Sequence, residues 1–410
     1  METVNRKTTY RLYPTPKQAV RLTEMLQLHE RLYNAALEQR IAVWRQRLVS
    51  VSYSDQCREL TALRAEDPEY EALNAQACQV TLKRLDLAFK HFFRRVKHGE
   101  IPGFPRFKAL QRYPGWGYKT HGDGWKLIAG EKERHGRLRL SGIGLIRIRG
   151  KARTPGVPKT VEIRFKHGKW YASVTIQCGE CKPERKHGSA QIGFDWGLES
   201  FLTFDDGSTV ENPRFLRKAE LRLKAAQKDL SRKKKGSRNR RRAVCRLSRI
   251  HERIANQRGN FLHQESARLV AGASLIATET LDPKNMTRSA HGTVENPGKN
   301  VRQKAGLNRS ILDGAPGAFL DMVRYKAEEA GAEFIEVPTR KVKPSQTCPR
   351  CRARRKKTLA KRVHECGCGC VMPRDRASAQ VCLQYALAVR AGTGPVWSLA
   401  VWAPDTKLTP

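Results

Sequence analysis

Nowhere in its 410 residues does the chain hold a run of about 18 apolar residues, so a membrane-spanning helix is not expected. The stretch Met1–Gln18 lacks the apolar core of a secretory leader, and neither end carries a lipidation motif. The expected setting is therefore cytoplasmic or nucleoid-like, with no membrane partner. No repeat of 20–50 residues is present, which argues against a solenoid or propeller. Acidic charge is also scarce: 39 Asp+Glu stand against 79 Lys+Arg, a formal net charge of +40. Such a field repels itself in a compact fold, and a polyanion relieves it. Nucleic acid is the leading candidate, because each neutralised phosphate also releases counterions. The cysteines do not form an even set: there are 11, and five crowd into Cys348–Cys370. In a reducing compartment, crowding of this kind reads as metal ligation rather than disulfides.

Enough apolar sequence remains, 39%, to bury real cores and exclude wholesale disorder. At roughly 100–200 residues per domain, about two to four domains are expected. Thr15-Pro16 has the form of an N-cap followed by proline at the first helical position. Leu22, Leu26, Leu32, Tyr33 and Leu37 then recur at helical spacing. A second helix carries Leu82, Leu85, Phe89, Phe92, Phe93 and Val96, with Lys83, Arg84, Lys90, Arg94 and Arg95 around it. Glycine and proline interrupt Gly99–Lys108 and Tyr113–Trp125. Beyond them, Leu138/Leu140 and Ile146/Ile148 alternate with basic residues. Thr160–Phe165 and Trp170–Cys178 read as a hairpin whose Val161, Ile163 and Phe165 share a face. Residues of about 120–180 are expected to form a small antiparallel β domain. Cys178 and Cys181 read as two unligated thiols.

A buried strand is expected at Ala190–Leu198, then a hairpin at Phe201–Val210 turning at Asp206-Gly207. Arg217–Arg258 is helical in pattern and holds 17 Lys/Arg against three acids, with a turn in Lys233–Arg242. That density exceeds what a solvated face needs, so Lys233, Lys234, Lys235, Arg240, Arg241 and Arg242 are candidate nucleic-acid contacts. Strands are expected at Ala273–Leu281 and Ala332–Pro338, and helices at Pro316–Ala330 and Ala377–Gly392, with polar loop sequence over Thr287–Asn308.

Two constellations carry chemistry. Cys348-Pro-Arg-Cys351 and Cys366-Gly-Cys368 are separated by fourteen residues, and zinc takes four soft ligands from two such knuckles. Cys348, Cys351, Cys366 and Cys368 are the favoured ligands, with Cys370 and His364 as further candidates. Nearby basic residues, Lys343, Arg350 and Arg352 among them, put nucleic acid close to this structural zinc. The other constellation is Asp195, Glu279 and Asp375. Each interrupts an apolar pattern or ends an element, and hard oxygen ligands of this type suit Mg²⁺ or Mn²⁺. Spacing alone favours three separate surface or cap residues.

Taken in order, RLYPTPKQ (11–18), GFPRFK (103–108), IGFDWGL (192–198), ETLDPKNM (279–286), PSQTCPRC (344–351), HECGCG (364–369) and RDRASAQ (374–380) resemble the transposon-encoded TnpB (OrfB) family. The matches run from residue 10 to about 382. This family is related to compact type V CRISPR nucleases. The resemblance implies an α/β multidomain protein: a RuvC-like, RNase H-type nuclease domain with an inserted zinc ribbon, an N-terminal helical lobe and a small antiparallel β-barrel. The implied boundaries are 1–12 for the first part of the β wedge, 13–115 for the helical recognition lobe and 116–185 for the rest of the wedge. The nuclease domain follows at 186–340, the ribbon at 341–372, the last nuclease motif and helix at 373–395, and a tail at 396–410.

By the same resemblance, Asp195, Glu279 and Asp375 match the three catalytic carboxylates and hold Mg²⁺ (or Mn²⁺) in a two-metal site that hydrolyses DNA. A guide RNA pairs with target DNA, so the protein grips backbones rather than reading bases. The implied setting is a prokaryotic cytoplasm, with a monomer favoured. Three departures stand out: Ala377 where the family often has Asn, a CxC second knuckle, and Arg352 after Cys351 in place of Gly. The rival readings are a type V CRISPR effector of the same architecture, a transposase acting on element ends, and a non-cutting DNA-binding regulator.

Overall fold

The computed structural model describes residues 4–129, 135–149, 156–178, 187–358 and 361–393, in two compact units, Met1–Glu180 and Cys181–Pro410. Cys181 and the expected tail at 396–410 lie outside the described residues.

The first unit opens with strand β1 (Val4–Tyr13) and continues with helices α1 (Pro16–Arg47), α2 (Tyr53–Glu66), α3 (Pro68–Glu71) and α4 (Ala75–Lys97). Thr15 starts α1 through a reciprocal capping box: its hydroxyl accepts from the Gln18 amide and the Gln18 side chain accepts from the Thr15 amide. Leu48, in the left-handed region at φ 54°, ends it. Helix α2, which the sequence pattern did not reveal, begins with a second capping box, Ser52 and Asp55.

Six further strands follow among the described residues: β2 (Trp116–Tyr118), β3 (Trp125–Ala129), β4 (His135–Leu140), β5 (Gly144–Arg149), β6 (Val157–Lys166) and β7 (Lys169–Cys178). They form one antiparallel sheet in the order β2-β6-β7-β1-β5-β4-β3. The expected barrel is nearly closed. Among the described residues no ladder joins β2 to β3, yet a Cβ on Gly124, just before β3, would stand 2.9 Å from the Tyr118 ring at the end of β2. Inward residues alternate as a half-buried sheet requires, with Val161 and Ile163 facing Ala172 and Val174. Phe165 departs from the expected burial and is half exposed, although its ring lies 4.8 Å from that of its cross-strand partner Trp170, which is buried. Helical and sheet side chains, from Leu22 and Leu85 to Trp116 and Ile146, pack in one continuous core.

In the second unit the strands are β8 (Ala190–Trp196), β9 (Ser200–Phe204) and β10 (Thr209–Glu211). The basic helices α5 (Phe215–Lys218), α6 (Glu220–Ser231) and α7 (Arg238–Gly272) come next. Strand β11 (Ala273–Glu279), α8 (Pro283–Met286), α9 (Val301–Gly314), α10 (Pro316–Ala330), β12 (Glu333–Val337) and α11 (Thr339–Val342) lead to the ribbon hairpin β13 (Val363–Glu365) and β14 (Val371–Pro373), then to α12 (Arg374–Arg390). The main sheet has the order β10-β9-β8-β11-β12. β8 to β10 are antiparallel, and β11 is parallel to both β8 and β12.

Each face of this sheet has its own apolar layer. Phe194, Ile276 and Leu262 pack with Phe319 and Val323 of α10 on one side. Leu275, Ala277 and Val337 pack with Val381, Cys382 and Ala386 of α12 on the other. Three expectations are corrected. Helix α12 starts at Arg374 rather than Ala377, α7 extends to Gly272 rather than ending near Arg258, and the second half of the expected loop 287–308 enters α9. Among the described residues, no helix is long and apolar enough to cross a membrane.

Candidate active site and metal-binding ribbon

Strand alternation decides where the carboxylates point. On β8, Phe194 and Trp196 belong to the α10 side, so Gly193 and Asp195 face α12. On β11, Leu275 and Ala277 face α12, and Glu279 continues that row. The parallel register pairs Thr278 with Phe194, so the next step along both strands sets Glu279 beside Asp195. Asp375 lies in the first turn of α12 over the same face. Gly193 makes this closeness feasible, since a Cβ there would stand 2.3 Å from the Ala379 carbonyl oxygen and 2.8 Å from Leu383 Cβ. The turn after β9 locks on as well: Arg376 Nε and Gln380 Nε2 donate to the Asp205 carbonyl at 3.2 and 3.0 Å.

Electrostatics show the three acids acting as a group. Burial, then the charges of Glu279 and Asp375, push the Asp195 carboxyl well above the usual carboxylate range, against the Ser378 hydrogen bond and Arg374. Burial and then Asp375 raise Glu279 to about 7. Ser378 Oγ donates to Asp195 Oδ1 at 3.0 Å, and Arg374 Nε stands 3.4 Å from Asp375 Oδ1. Among the described residues, sets of three or more ligand atoms all within 4.8 Å of one another occur only in the ribbon, so the carboxylates are spaced more widely. A divalent cation would relieve both the burial and the mutual repulsion, and three oxygen donors suit Mg²⁺ or Mn²⁺.

In the ribbon, Cys348, Cys351, Cys366 and Cys368 converge, with Sγ–Sγ separations of 3.7 Å for Cys348–Cys368 and 3.4 Å for Cys351–Cys366. A tetrahedron with Zn–S near 2.3 Å has edges of about 3.8 Å, so the donor set fits zinc. Burial would raise the Cys348 thiol, but the amides of Cys351 and Arg350 and the His364 ring bring it down to about 6, toward the thiolate a metal needs. A second set, Cys348, His364 and Cys370, is wholly buried and shares Cys348. Lys357 Nζ contacts His364 Nδ1, which makes Nδ1 the acceptor and leaves the buried Nε2 to carry the proton. His364 in that tautomer has no free nitrogen to offer a metal, while Cys370 stays beside Cys348 in the second set. The ribbon also reaches the acids. β14 runs directly into α12, and Gln384 Nε2 on α12 donates to the Pro349 carbonyl at 2.9 Å.

The basic run forms a groove of about 990 Å³ between α5, α6 and α7. Of the expected contacts, Arg241 and Arg242 line it. Lys234 and Lys235 are exposed in the turn, and Lys233 pairs with Asp229 at 3.0 Å. Arg240 instead supports the fold, since its guanidinium donates to the carbonyls of Leu230 and Lys233 and closes the turn. Sequence reasoning missed Arg246, Arg249 and Arg253, which continue a stripe from Arg238 and Arg242 along one face of α7. Their four-, four-, three- and four-residue steps were the available signal. It also missed Ser378, a residue type too common to flag.

Family models match three stretches: "Probable transposase" (OrfB of IS605) over residues 172–290, "Cas12f1-like, TNB domain" over 317–382, and "Helix-turn-helix domain" over 1–48. The last stretch is β1 followed by the single unbroken helix α1. An Escherichia coli (strain K12) protein named "Putative RNA-guided DNA endonuclease InsQ" is 33% identical over 279 residues, 68% of this chain and 64% of that protein. The chain thus spans just under two thirds of that relative. A Streptomyces pristinaespiralis protein named "Putative RNA-guided DNA endonuclease" is 30% identical over 398 residues, 95% of this chain and 92% of the relative. A cryo-EM structure of the Cas12f1–sgRNA–target DNA complex has a similar fold, with a TM-score of 0.56 at 11% identity, covering 93% of this chain and 99% of that one. Matched along nearly its whole length by a relative of this kind, the chain belongs to the TnpB (OrfB) family.

Proposed function

We propose that the protein is an RNA-guided DNA endonuclease whose RuvC-like, RNase H-type centre is built from Asp195, Glu279 and Asp375. The carrying observation is the placement of Asp195 and Glu279 side by side on parallel strands, beneath the first turn of α12 that bears Asp375. The strand order β10-β9-β8-β11-β12, with three antiparallel strands and then two parallel ones, supports the RNase H-type reading. A non-cutting regulator has no use for three acids on one face, where burial and repulsion disfavour the charge of Asp195 and Glu279.

In this reading the carboxylates supply oxygen ligands, and the chain holds a scissile phosphate against them. Asp195, Glu279 and Asp375 would hold divalent ions, which would stabilise the charge that develops on phosphate and make an attacking water more acidic. No Ser, Cys or His nucleophile is required. Zinc in the ribbon is structural and fixes the start of α12. The arginine stripe from Arg238 to Arg253 is about 22 Å long at 1.5 Å per residue, enough to follow several phosphates of a guide RNA or target strand.

The test is to express the chain with its native flanking DNA, sequence the RNA that co-purifies, and challenge the complex with DNA matching that RNA. A discrete RNA and metal-dependent cutting are expected, with Asp195→Ala abolishing cutting while RNA remains bound. Random RNA fragments, or cutting that survives Asp195→Ala, would overturn the reading.

A further inference from the structure

Asp195 sits mid-sheet beside Glu279, and its carboxylate needs a fixed orientation if it is to meet a metal ion. Three observations bear on what fixes it. Ser378 is 1% exposed, and among the described residues its hydroxyl makes one hydrogen bond, to Asp195 Oδ1 at 3.0 Å. A helical serine commonly turns its hydroxyl back to the carbonyl four residues earlier. Here it reaches across to another element instead. Ser378 also stands three residues after Asp375, so the two lie on the same face of α12; of the two residues between them, Ala377 has no polar group and Arg376 is engaged with the Asp205 carbonyl. Lastly, the helix cannot slide: Ala379 closes on Gly193, and Arg376 and Gln380 both hold the Asp205 carbonyl.

We propose that Ser378 is a positioning residue for the nuclease centre: by donating to Oδ1 it sets the plane of the Asp195 carboxylate and leaves Oδ2 available to a metal ion. The inference rests on the nuclease reading above and deepens it. The hydroxyl is assigned no contact of its own with metal or phosphate. It acts only through Asp195, as outer-shell donors do for ligating carboxylates, whose loss typically lowers metal affinity or activity 10–100-fold. Asp375, by contrast, has the charged neighbour Arg374, whose Nε is 3.4 Å away. The two aspartates are thus held by different means, a buried neutral donor for one and a cation for the other.

The experiment compares Ser378→Ala with wild type and with Asp195→Ala, all as full-length protein. Ser378→Ala only shortens a buried side chain and introduces no clash. Mn²⁺ binding, read from the signal of free Mn²⁺ in electron paramagnetic resonance, is expected to weaken by about 10-fold or more in Ser378→Ala. Zinc content and circular dichroism should be unchanged. In the RNA-loaded complex the half-saturating Mg²⁺ concentration should rise by a similar factor, with the rate recovering toward wild type at saturating metal. A merely structural serine would lower the rate or the melting point without moving metal affinity, and that result would overturn the proposal. If Asp195→Ala abolishes Mn²⁺ binding while Ser378→Ala leaves it at the wild-type level, only the positioning role fails. If Asp195→Ala itself binds Mn²⁺ normally, the nuclease reading fails, and this proposal with it.

Discussion

Gly193→Ala adds one methyl group at the place where sheet and helix come closest. That Cβ would stand 2.3 Å from the Ala379 carbonyl oxygen and 2.8 Å from Leu383 Cβ, whereas ordinary contact begins at 3.4 Å. The first obstacle is backbone and cannot rotate away, so α12 must retreat by about 1 Å. Overpacking of this kind costs roughly 1–3 kcal/mol, a fall in melting temperature of roughly 3–10 °C for a unit of this size. Catalysis should suffer more than stability. Asp375 and Ser378 ride on α12, and a misplacement of about 1 Å can lower a rate by about 10²-fold. The control is Gly306→Ala inside α9, where nothing lies within 4 Å of the added methyl, so the change should raise stability by about 0.5–1 kcal/mol. Calorimetry and single-turnover cleavage by the RNA-loaded complex check both arms. A Gly193→Ala protein that melts and cuts like wild type would refute the account of how α12 is seated.

Elemental analysis should find one zinc per chain, lost in Cys351→Ser and kept in Cys370→Ser. Because β14 leads straight into α12, zinc loss should also lower Mg²⁺-dependent cutting, and a zinc-free wild type with a protease-resistant ribbon would contradict this. Glu279 has a folded-state value of about 7, above its ordinary 4.5, so its protonated form stabilises the metal-free fold and that contribution fades as pH rises toward and past 7. Ligation needs the ionised form, so the thermal shift produced by Mg²⁺ should grow between pH 6.5 and 8, and a flat or falling shift would count against the ligand assignment. The window excludes His29, whose burial lowers it to about 3 and whose opposite-signed contribution to stability lies below pH 6.5.

Much of the architecture was legible because it rests on local chemistry. Thr15-Pro16 marked the start of α1, and alternation at Val161/Ile163 and Ala172/Val174 marked β6 and β7. Elements that escaped notice lack apolar content. Helix α9 begins at Val301, in largely polar sequence, and buries only Ile311 and Gly314, so periodicity carried little signal there. Helix α2 buries only Gln56 and Leu60, and its one strong mark, the Ser52–Asp55 capping box, lies in its first turn. Phe165 shows the converse limit. Alternation says which face a side chain shares, but not how deeply each side chain on that face is buried.

Asp195 and Glu279 drew notice as polar interruptions of buried strands, but from spacing alone they could not be told from surface acids. What joins them is the parallel register of β8 on β11, a pairing across more than eighty residues that no local pattern encodes. The same holds for Ser378, which matters only because Gly193 lets α12 descend until a hydroxyl reaches a carboxylate. The ribbon is the opposite case. Its candidate ligands are close in sequence as well as in space, so the knuckles could be read directly, and one contact, Lys357 against His364, bears on whether His364 joins them. Local pattern thus brought out the candidate zinc ligands, whereas the proposed magnesium ligands are held together by sheet register and by one glycine at a helix–strand crossing.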